Sequence, residues 1–283
     1  MLPKQRDSMT NTFVVTIVLC IGCSLLVSTA AVALKDVQGR NKLLDRQRNI
    51  IEAAGLGKQS GTLKAKEVSE MFTDGTIEPK VVDLQTGEYV EDKAIANESY
   101  DERKAAKDAK MNAAIKAGKF GIGIENREKY TWVYLVKDKQ GKLQLVVLPI
   151  YGKGLWSTMY GFVALNSDLR TINGLTYYEH GETPGLGGEV ENPKWKKQWQ
   201  GKQVWRGESI DAMLAVGVAK GSPTPENLPY MVDGLSGATI TSRGVDSMLK
   251  YWFSSDAFGP YLEKLASQKG ASDVSSKPQK SSF

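Results

Sequence analysis

The chain has 283 residues, which is enough for one large domain or two modest ones. Its 41% hydrophobic and 24% charged content is ordinary for a globular protein, and its net charge of +5 is mild. No basic cluster is interleaved with aromatic residues, so the composition argues against a nucleic-acid partner. The single histidine, His180, excludes a zinc site built from several histidines, and we expect no metal site.

The first predicted element is an uncharged apolar run over residues 12–34. A helix of this length measures about 35 Å, which exceeds the hydrocarbon thickness of about 30 Å. We therefore predict a transmembrane helix over 12–34, preceded by a short segment, 1–11. A cleaved signal peptide is the alternative, because residues 31–33 resemble a cleavage site, although signal peptides usually have apolar cores of only about 7–15 residues.

Both cysteines, Cys20 and Cys23, lie inside this apolar run. Their C-x-x-C spacing also occurs in redox proteins, but a thiolate is strongly disfavoured in hydrocarbon, so we favour a role in helix packing.

The orientation of the predicted span in the membrane stays open at this point. More basic residues follow the run than precede it, which by the positive-inside rule places the bulk of the chain in the cytoplasm, yet large domains cross membranes largely regardless of charge.

The next region, residues 35–125, combines juxtamembrane helices with a charged insertion. Apolar spacing predicts a helix over 41–54 that ends near Gly55, and a second short helix over 64–72. The stretch 98–119 is dense in Lys, Asp, Glu and Ala. That composition predicts a solvated helix or a mobile insertion and no functional site.

Strand patterns dominate the following region. Residues 131–136 and 143–149 predict a hairpin, and residues 161–165 predict a further strand. Between the hairpin and that strand lies a Gly-rich turn that contains Trp156. The stretch 194–205 carries three tryptophans among lysines and predicts a surface helix with its indoles facing inward. Residues 264–283 lack a hydrophobic pattern and predict a flexible tail.

A turn over residues 233–242 combines two glycines with several hydroxyls and precedes an amphipathic helix. The apolar face of that helix is predicted to consist of Val245, Met248, Leu249 and Trp252. Thr239, Thr241 and Ser242 then lie at the helix start, where hydroxyls cap free N–H groups and where a phosphate can also bind. On composition alone an ordinary capped helix is favoured.

Two motifs give the chain a specific resemblance. Asp233-x-x-Ser236-Gly237-Ala238-Thr239 matches the flavinylation motif of the FMN-binding domain family, and residues 182–187 (Glu-Thr-Pro-Gly-Leu-Gly) match its second signature. With the apolar run and Gly154-Leu155-Trp156-Ser157, in this order, the chain resembles the C subunits of bacterial sodium-translocating NADH:quinone reductases over nearly its whole length. The resemblance, together with the strand and helix patterns, predicts an α+β fold: one N-terminal transmembrane helix, then an FMN-binding domain over 126–263 with a twisted, largely antiparallel sheet flanked by helices.

The resemblance implies that Thr239 carries FMN covalently, through a phosphoester that a flavin transferase installs from FAD. Asp233 belongs to the flavinylation motif and would repel a phosphate, so we place it beside the site. No catalytic acid, base or nucleophile is expected, because the flavin performs the redox chemistry. The other cofactor contacts that the resemblance implies are Ser236, Gly237, Ala238, Glu182, Thr183, Gly185, Leu186, Gly187, Trp156 and Ser157.

The implied activity is a one-electron relay in a membrane respiratory complex, an oxidoreductase subunit that passes electrons from NADH toward quinone with coupled Na⁺ export. Implied partners are the other integral and peripheral subunits, the transferase and membrane lipid. The implied location is the bacterial inner membrane, with the N-terminus cytoplasmic and the flavin domain periplasmic. A single uncharged span predicts that this chain does not itself conduct sodium.

Three alternatives stay open at the level of sequence. The G subunit of the related ion-translocating ferredoxin:NAD oxidoreductase shares the anchor and both motifs, but it is shorter between anchor and flavin domain. A stand-alone membrane-anchored flavin reductase would also share them. In a non-redox module, the turn over residues 233–239 would only cap a helix.

Overall fold

A computed structural model describes residues 9–57, 63–97, 99–115, 120–207 and 213–275. The helices are α1 (Met9–Ala53), α2 (Ala65–Thr73), α3 (Glu102–Ala105), α4 (Pro193–Lys197), α5 (Thr239–Trp252) and α6 (Gly259–Ser275), with a 3₁₀ helix at Gly187–Glu191. The strands are β1 (Ile77–Asp83), β2 (Asn112–Ala114), β3 (Asn126–Glu128), β4 (Tyr130–Lys137), β5 (Leu143–Lys153), β6 (Thr158–Asn166), β7 (Ile172–Glu179), β8 (Trp205–Arg206), β9 (Met213–Leu214), β10 (Gly217–Val218) and β11 (Met231–Val232).

The chain divides into two compact units, residues 1–46 and 47–283. Among the described residues, α1 is the helix that is long and apolar enough to cross a membrane. Its hydroxyls at Thr16 and Thr29 donate to carbonyls one turn earlier, which satisfies polar groups inside an apolar segment.

The predicted span and the helix predicted over 41–54 are parts of one continuous helix, α1. The reason is that residues 35–53 contain no proline, and the isolated Gly39 costs only about 1 kcal/mol in a helix. The end of α1 agrees with the prediction. Gly55 has a φ of 65°, and the N–H of Leu56 donates to the carbonyl of Ile51, which is the pattern of a glycine-terminated helix.

The second unit is built on a five-stranded antiparallel sheet in the order β1-β4-β5-β6-β7. The predicted hairpin is confirmed as β4 and β5, with Tyr134 opposite Val147, and the strand predicted over 161–165 lies within β6. Helices accompany the sheet, so the predicted α+β fold with a largely antiparallel sheet is confirmed.

Helix α5 packs on this sheet through its predicted apolar face: Val245, Met248, Leu249 and Trp252 are all fully buried. The approach is close because Gly244 has no side chain; a Cβ there would overlap the carbonyl of Lys153 at the end of β5. This contact sets the first turn of α5 beside residues 154–157, which connect β5 to β6.

The stretch 98–119 is not the solvated helix or mobile insertion that we predicted, as far as residues 99–115 show. It folds into the short α3 and β2. Polar side chains anchor α3. The carboxylate of Glu102 accepts a hydrogen bond from the N–H of Trp132 at 2.8 Å, and Nη1 and Nη2 of Arg103 donate to the two carboxylate oxygens of Glu179 at 3.0 and 2.8 Å. A segment that is poor in apolar residues is therefore attached to the sheet here through polar contacts.

Two predicted segments have different bounds in the structure. The three indoles between residues 194 and 205 are buried as expected, but the helix there is only α4, and Trp205 lies in β8. The tail does not begin at Lys264, because α6 continues to Ser275 and Leu265 and Ala266 pack against the core. Residues 276–283 of the predicted tail lie outside the described residues.

Candidate functional site

The carboxylate of Glu182 connects three separate parts of the chain. It accepts hydrogen bonds from the N–H groups of Leu155, Trp156 and Ser157 at 3.0, 2.9 and 3.3 Å, and from the Thr241 hydroxyl at 2.6 Å. The β5–β6 turn, the loop after β7 and the first turn of α5 are therefore joined at one buried group.

The charge of Glu182 is stabilised in this position. Only 5% of the residue is exposed, and burial by itself would raise the pKa of its carboxyl. The hydrogen bonds from Thr241 and from the three backbone N–H groups outweigh burial and lower the pKa below its usual value. Glu182 is thus an ionised acceptor whose oxygens face protein donors.

Glycines allow the loop over residues 182–187 to approach α5 closely. A Cβ at Gly187 would lie 2.6 Å from Oγ1 of Thr241 and 2.9 Å from Oε2 of Glu182. A Cβ at Gly237, whose φ is +69°, would lie 2.9 Å from Cδ2 of Leu186. The two loops that carry the sequence motifs therefore meet in space, which the sequence alone could not establish.

Thr239 is the first residue of α5 and is exposed. No side chain caps this helix at Ala238, so its first N–H groups remain without a side-chain acceptor. The prediction that Thr241 and Ser242 cap the helix is wrong: Thr241 bonds Glu182, and Oγ of Ser242 accepts from the N–H of Leu235 at 2.9 Å. Because α5 already begins at Thr239, both residues lie within its first turn and are buried.

Large apolar side chains are exposed around this helix start. Trp156 is 67% exposed, Leu186 45%, Leu155 46% and Ile240 54%. Trp156 is oriented by a bond from its Nε1 to Oγ1 of Thr183 at 3.1 Å. Its turn is held further by Oγ of Ser157, which accepts from the N–H of Gly181 at 2.6 Å. These exposed groups form an apolar surface of the kind that commonly marks a ligand or partner contact.

A second surface feature lies on another side of Thr239. A cavity of about 520 Å³, here called the Thr239 cavity, is lined by both motif and non-motif residues. The polar ones are Lys220, Ser222, Asp233, Ser236, Thr239, Ser242, Arg243 and Asp246. The backbone of Asp233 is fixed on its wall: its N–H donates to Oε1 of Gln198 at 2.9 Å and its carbonyl accepts from Nε1 of Trp195 at 2.8 Å.

These residues fit an FMN bound at Thr239. The threonine hydroxyl is accessible, uncapped helix N–H groups face the same place, and exposed apolar side chains are available for a flavin ring. Of the predicted site residues, Thr239, Ser236 and Asp233 line the cavity, whereas Trp156, Leu186 and Thr183 lie on the apolar side. The described residues that line the cavity include none of those three.

Several residues on these two surfaces were not among the predicted site residues. Arg243 was detectable, because it follows Thr239 by four residues on a predicted helix and so shares its face. Leu155 lies inside the segment over residues 154–157 and Ile240 directly follows Thr239, but their exposure is visible only in the structure. Lys220 carries no local signal, since it reaches the cavity through the pairing of β10 with β11.

Comparison with known proteins gives consistent matches. A family model described as an FMN-binding domain matches residues 154–254. The C subunit of the Na(+)-translocating NADH-quinone reductase of Haemophilus ducreyi is 47% identical over 94% of this chain and 98% of its own length, and the corresponding C subunit of Pseudomonas aeruginosa is 47% identical over 92% and 97%. The crystal structure of Shewanella oneidensis NqrC aligns with a TM-score of 0.69 at 35% identity, covering 82% of this chain and 99% of that one.

Proposed function

The chain belongs to the family of Na(+)-translocating NADH-quinone reductase C subunits, and from this membership we propose that it carries FMN covalently on Thr239 and relays single electrons within a membrane respiratory complex. The complex oxidises NADH, reduces quinone and exports Na⁺. The other subunits of that complex, a flavin transferase and membrane lipid are the proposed partners.

One observation carries the proposal. An exposed threonine hydroxyl begins α5, within reach of uncapped backbone N–H groups, and the Glu182 loop is bonded to the same helix turn. Unpaired N–H groups and the positive end of a helix dipole favour a phosphate at this position. Exposed apolar side chains beside it offer a surface for a flat ring.

The residues of this chain divide into two groups in the proposed site. Thr239, Ser236, Gly237 and Ala238 form the attachment turn, while Trp156 and Leu186 contact the flavin ring. Glu182 is a positioning residue, because its carboxylate is occupied by the turn over 155–157 and by Thr241. When bound, FMN supplies the one-electron chemistry, and the protein sets its place and its surroundings.

Attachment is a group transfer without a redox change. Oγ1 of Thr239 replaces AMP on the flavin-side phosphorus of FAD: one O–P bond forms, the bond inside the diphosphate breaks, and AMP leaves with the electron pair. The hydroxyl proton passes to a base of the transferase or to solvent. Asp233 adjoins the reacting turn, and we propose that the transferase recognises it.

We also propose a location. The span over 12–34 anchors the chain in the bacterial inner membrane, with the N-terminus in the cytoplasm and the flavin domain in the periplasm. A Lys139→Cys variant tests the orientation, because Lys139 lies in the exposed turn between β4 and β5. A membrane-impermeant maleimide should label it in intact cells; labelling only after lysis would place the domain in the cytoplasm.

Co-purification tests the relay against a stand-alone reductase. Affinity-tagged full-length chain, expressed from its own genome and extracted in mild detergent, should recover integral membrane subunits and show flavin fluorescence on a denaturing gel. Recovery of a fluorescent chain without integral partners would contradict the relay and favour a stand-alone flavoprotein. A chain recovered with partners but without any fluorescence would contradict the covalent cofactor.

A further inference from the structure

The Thr239 cavity contains two cations that the proposed function leaves unassigned, Lys220 and Arg243. Both side chains are exposed, and neither has a hydrogen bond or ion pair to another described residue. Free cations that line one concave surface beside a hydroxyl suit an anionic ligand.

Arg243 lies one helical turn after Thr239 on α5. Side chains four residues apart on a helix are neighbours, with Cβ atoms about 5–6 Å apart. A guanidinium presents several N–H donors in a fork that matches two phosphate oxygens. A phosphate on Oγ1 of Thr239 is therefore within reach of Arg243.

Lys220 lines the same cavity, and backbone contacts fix the segment that carries it. The N–H of Ala219 donates to the carbonyl of Val232 at 2.9 Å, and the N–H of Gly234 donates to the carbonyl of Gly221 at 2.7 Å. A Cβ at Gly234 would lie 2.5 Å from the carbonyl oxygen of Ala219, so only glycine permits this approach. Lys220 is thus held beside the attachment turn.

The acidic residues of the cavity do not cancel these cations. Asp246 is already occupied: its Oδ2 pairs with Lys250 at 2.8 Å and its Oδ1 accepts from the N–H of Val218 at 3.1 Å. Asp233 is the other carboxylate on the wall. Two free cations against one free carboxylate leave the cavity net positive.

We propose that Arg243 and Lys220 bind the phosphate group that is esterified to Thr239 or is being transferred to it. The inference rests on the proposed function, since it concerns the phosphate of the covalent FMN. It assigns to this chain, and not only to the transferase, a part in holding the transferred group. The helix N–H groups, the Arg243 guanidinium and the Lys220 ammonium would then hold the phosphate oxygens together.

The test uses the full-length chain in detergent, purified transferase and varied FAD. Variants are Arg243→Gln, Lys220→Gln and both together, with Lys139→Gln as a control that removes one exposed lysine far along the chain from the cavity. Each charged hydrogen bond to phosphate is worth about tenfold, so the double variant should lose about tenfold to a hundredfold in kcat/KM for FAD, and the loss should shrink at high ionic strength. The ³¹P resonance of the flavinylated product reports the finished ester independently of rate.

Each outcome decides the inference. A shifted ³¹P resonance in the variants assigns the cations to the finished ester; a lower kcat/KM for FAD with an unchanged resonance assigns them to the incoming diphosphate. A change confined to the KM for the protein substrate would make the cations a docking contact for the transferase and overturn the inference. Unchanged rate and resonance would overturn it too. The melting temperature should match that of the wild type, and loss of all labelling in the wild type would instead overturn the proposed function.

Discussion

A Thr239→Ala chain, co-expressed with its flavin transferase, is expected to show no fluorescent band on a denaturing gel, whereas the wild-type chain shows one. Alanine lacks the oxygen that forms the proposed O–P bond, so the loss should be complete. Because Thr239 is exposed and caps nothing in α5, its removal should change the free energy of unfolding by only about 0.5 kcal/mol or less.

Neighbouring hydroxyls provide the controls for this result. Thr239→Ser retains a hydroxyl oxygen and should keep the fluorescent band, at a lower yield if the methyl group helps to orient the oxygen. Ser236→Ala should also keep it, since Ser236 is exposed but is not the attachment point. Thr241 cannot replace Thr239 as the attachment point, because its hydroxyl is buried and donates a hydrogen bond to Glu182. Fluorescence that survives in Thr239→Ala would disprove the attachment site.

The second large effect concerns stability. Glu182→Gln should lower the free energy of unfolding of the second unit by about 3 kcal/mol, because charged hydrogen bonds are lost and at least one buried N–H is left facing an amide N–H₂. Each carboxylate oxygen accepts hydrogen bonds from two donors. In either orientation, the N–H₂ group of a glutamine side chain would therefore face at least one backbone N–H. In a unit of this size the change corresponds to a melting temperature lower by about 10 °C.

The difference between wild type and Glu182→Gln should depend on pH. The pKa of Glu182 is lowered on folding, so its contribution is present above the ordinary carboxyl value of 4.5 and is lost as the pH falls through the lower folded value. The gap in melting temperature should therefore be largest near neutrality and narrow in acid. Glu263→Gln, an exposed glutamate on α6, is the matched control and should melt like the wild type. A gap that persists unchanged in acid would show that lost packing, not lost charge, causes it.

Local periodicity explains what was predictable from the sequence. The buried face of α5 follows from apolar residues at helical spacing, and the β4–β5 hairpin follows from two β-rich runs around a polar turn. Each depends on residues close together in the chain. The turn over residues 233–239 could be singled out for the same reason, since its motif is contiguous in the chain.

The remaining features depend on contacts between distant residues. Glu182 bonds Thr241, which lies 59 positions away, and no local pattern marks a carboxylate that will serve as an internal acceptor. Likewise, Glu102 and Arg103 have the composition of a solvated stretch, yet they hold α3 against the sheet. Charge-rich segments attach through specific partners, which hydrophobic periodicity does not detect.

The openness of the site has a consequence for affinity. Pockets that hold small ligands reversibly bury about 70–90% of the ligand surface, whereas the side chains of Trp156, Leu186 and Ile240 are exposed here. A covalent link removes the need for such enclosure, because a tethered group has a local effective concentration of about millimolar or more whatever the free concentration. The proposed flavin can thus remain on an open surface without being lost by dissociation, and its ring stays accessible to other proteins that approach that surface.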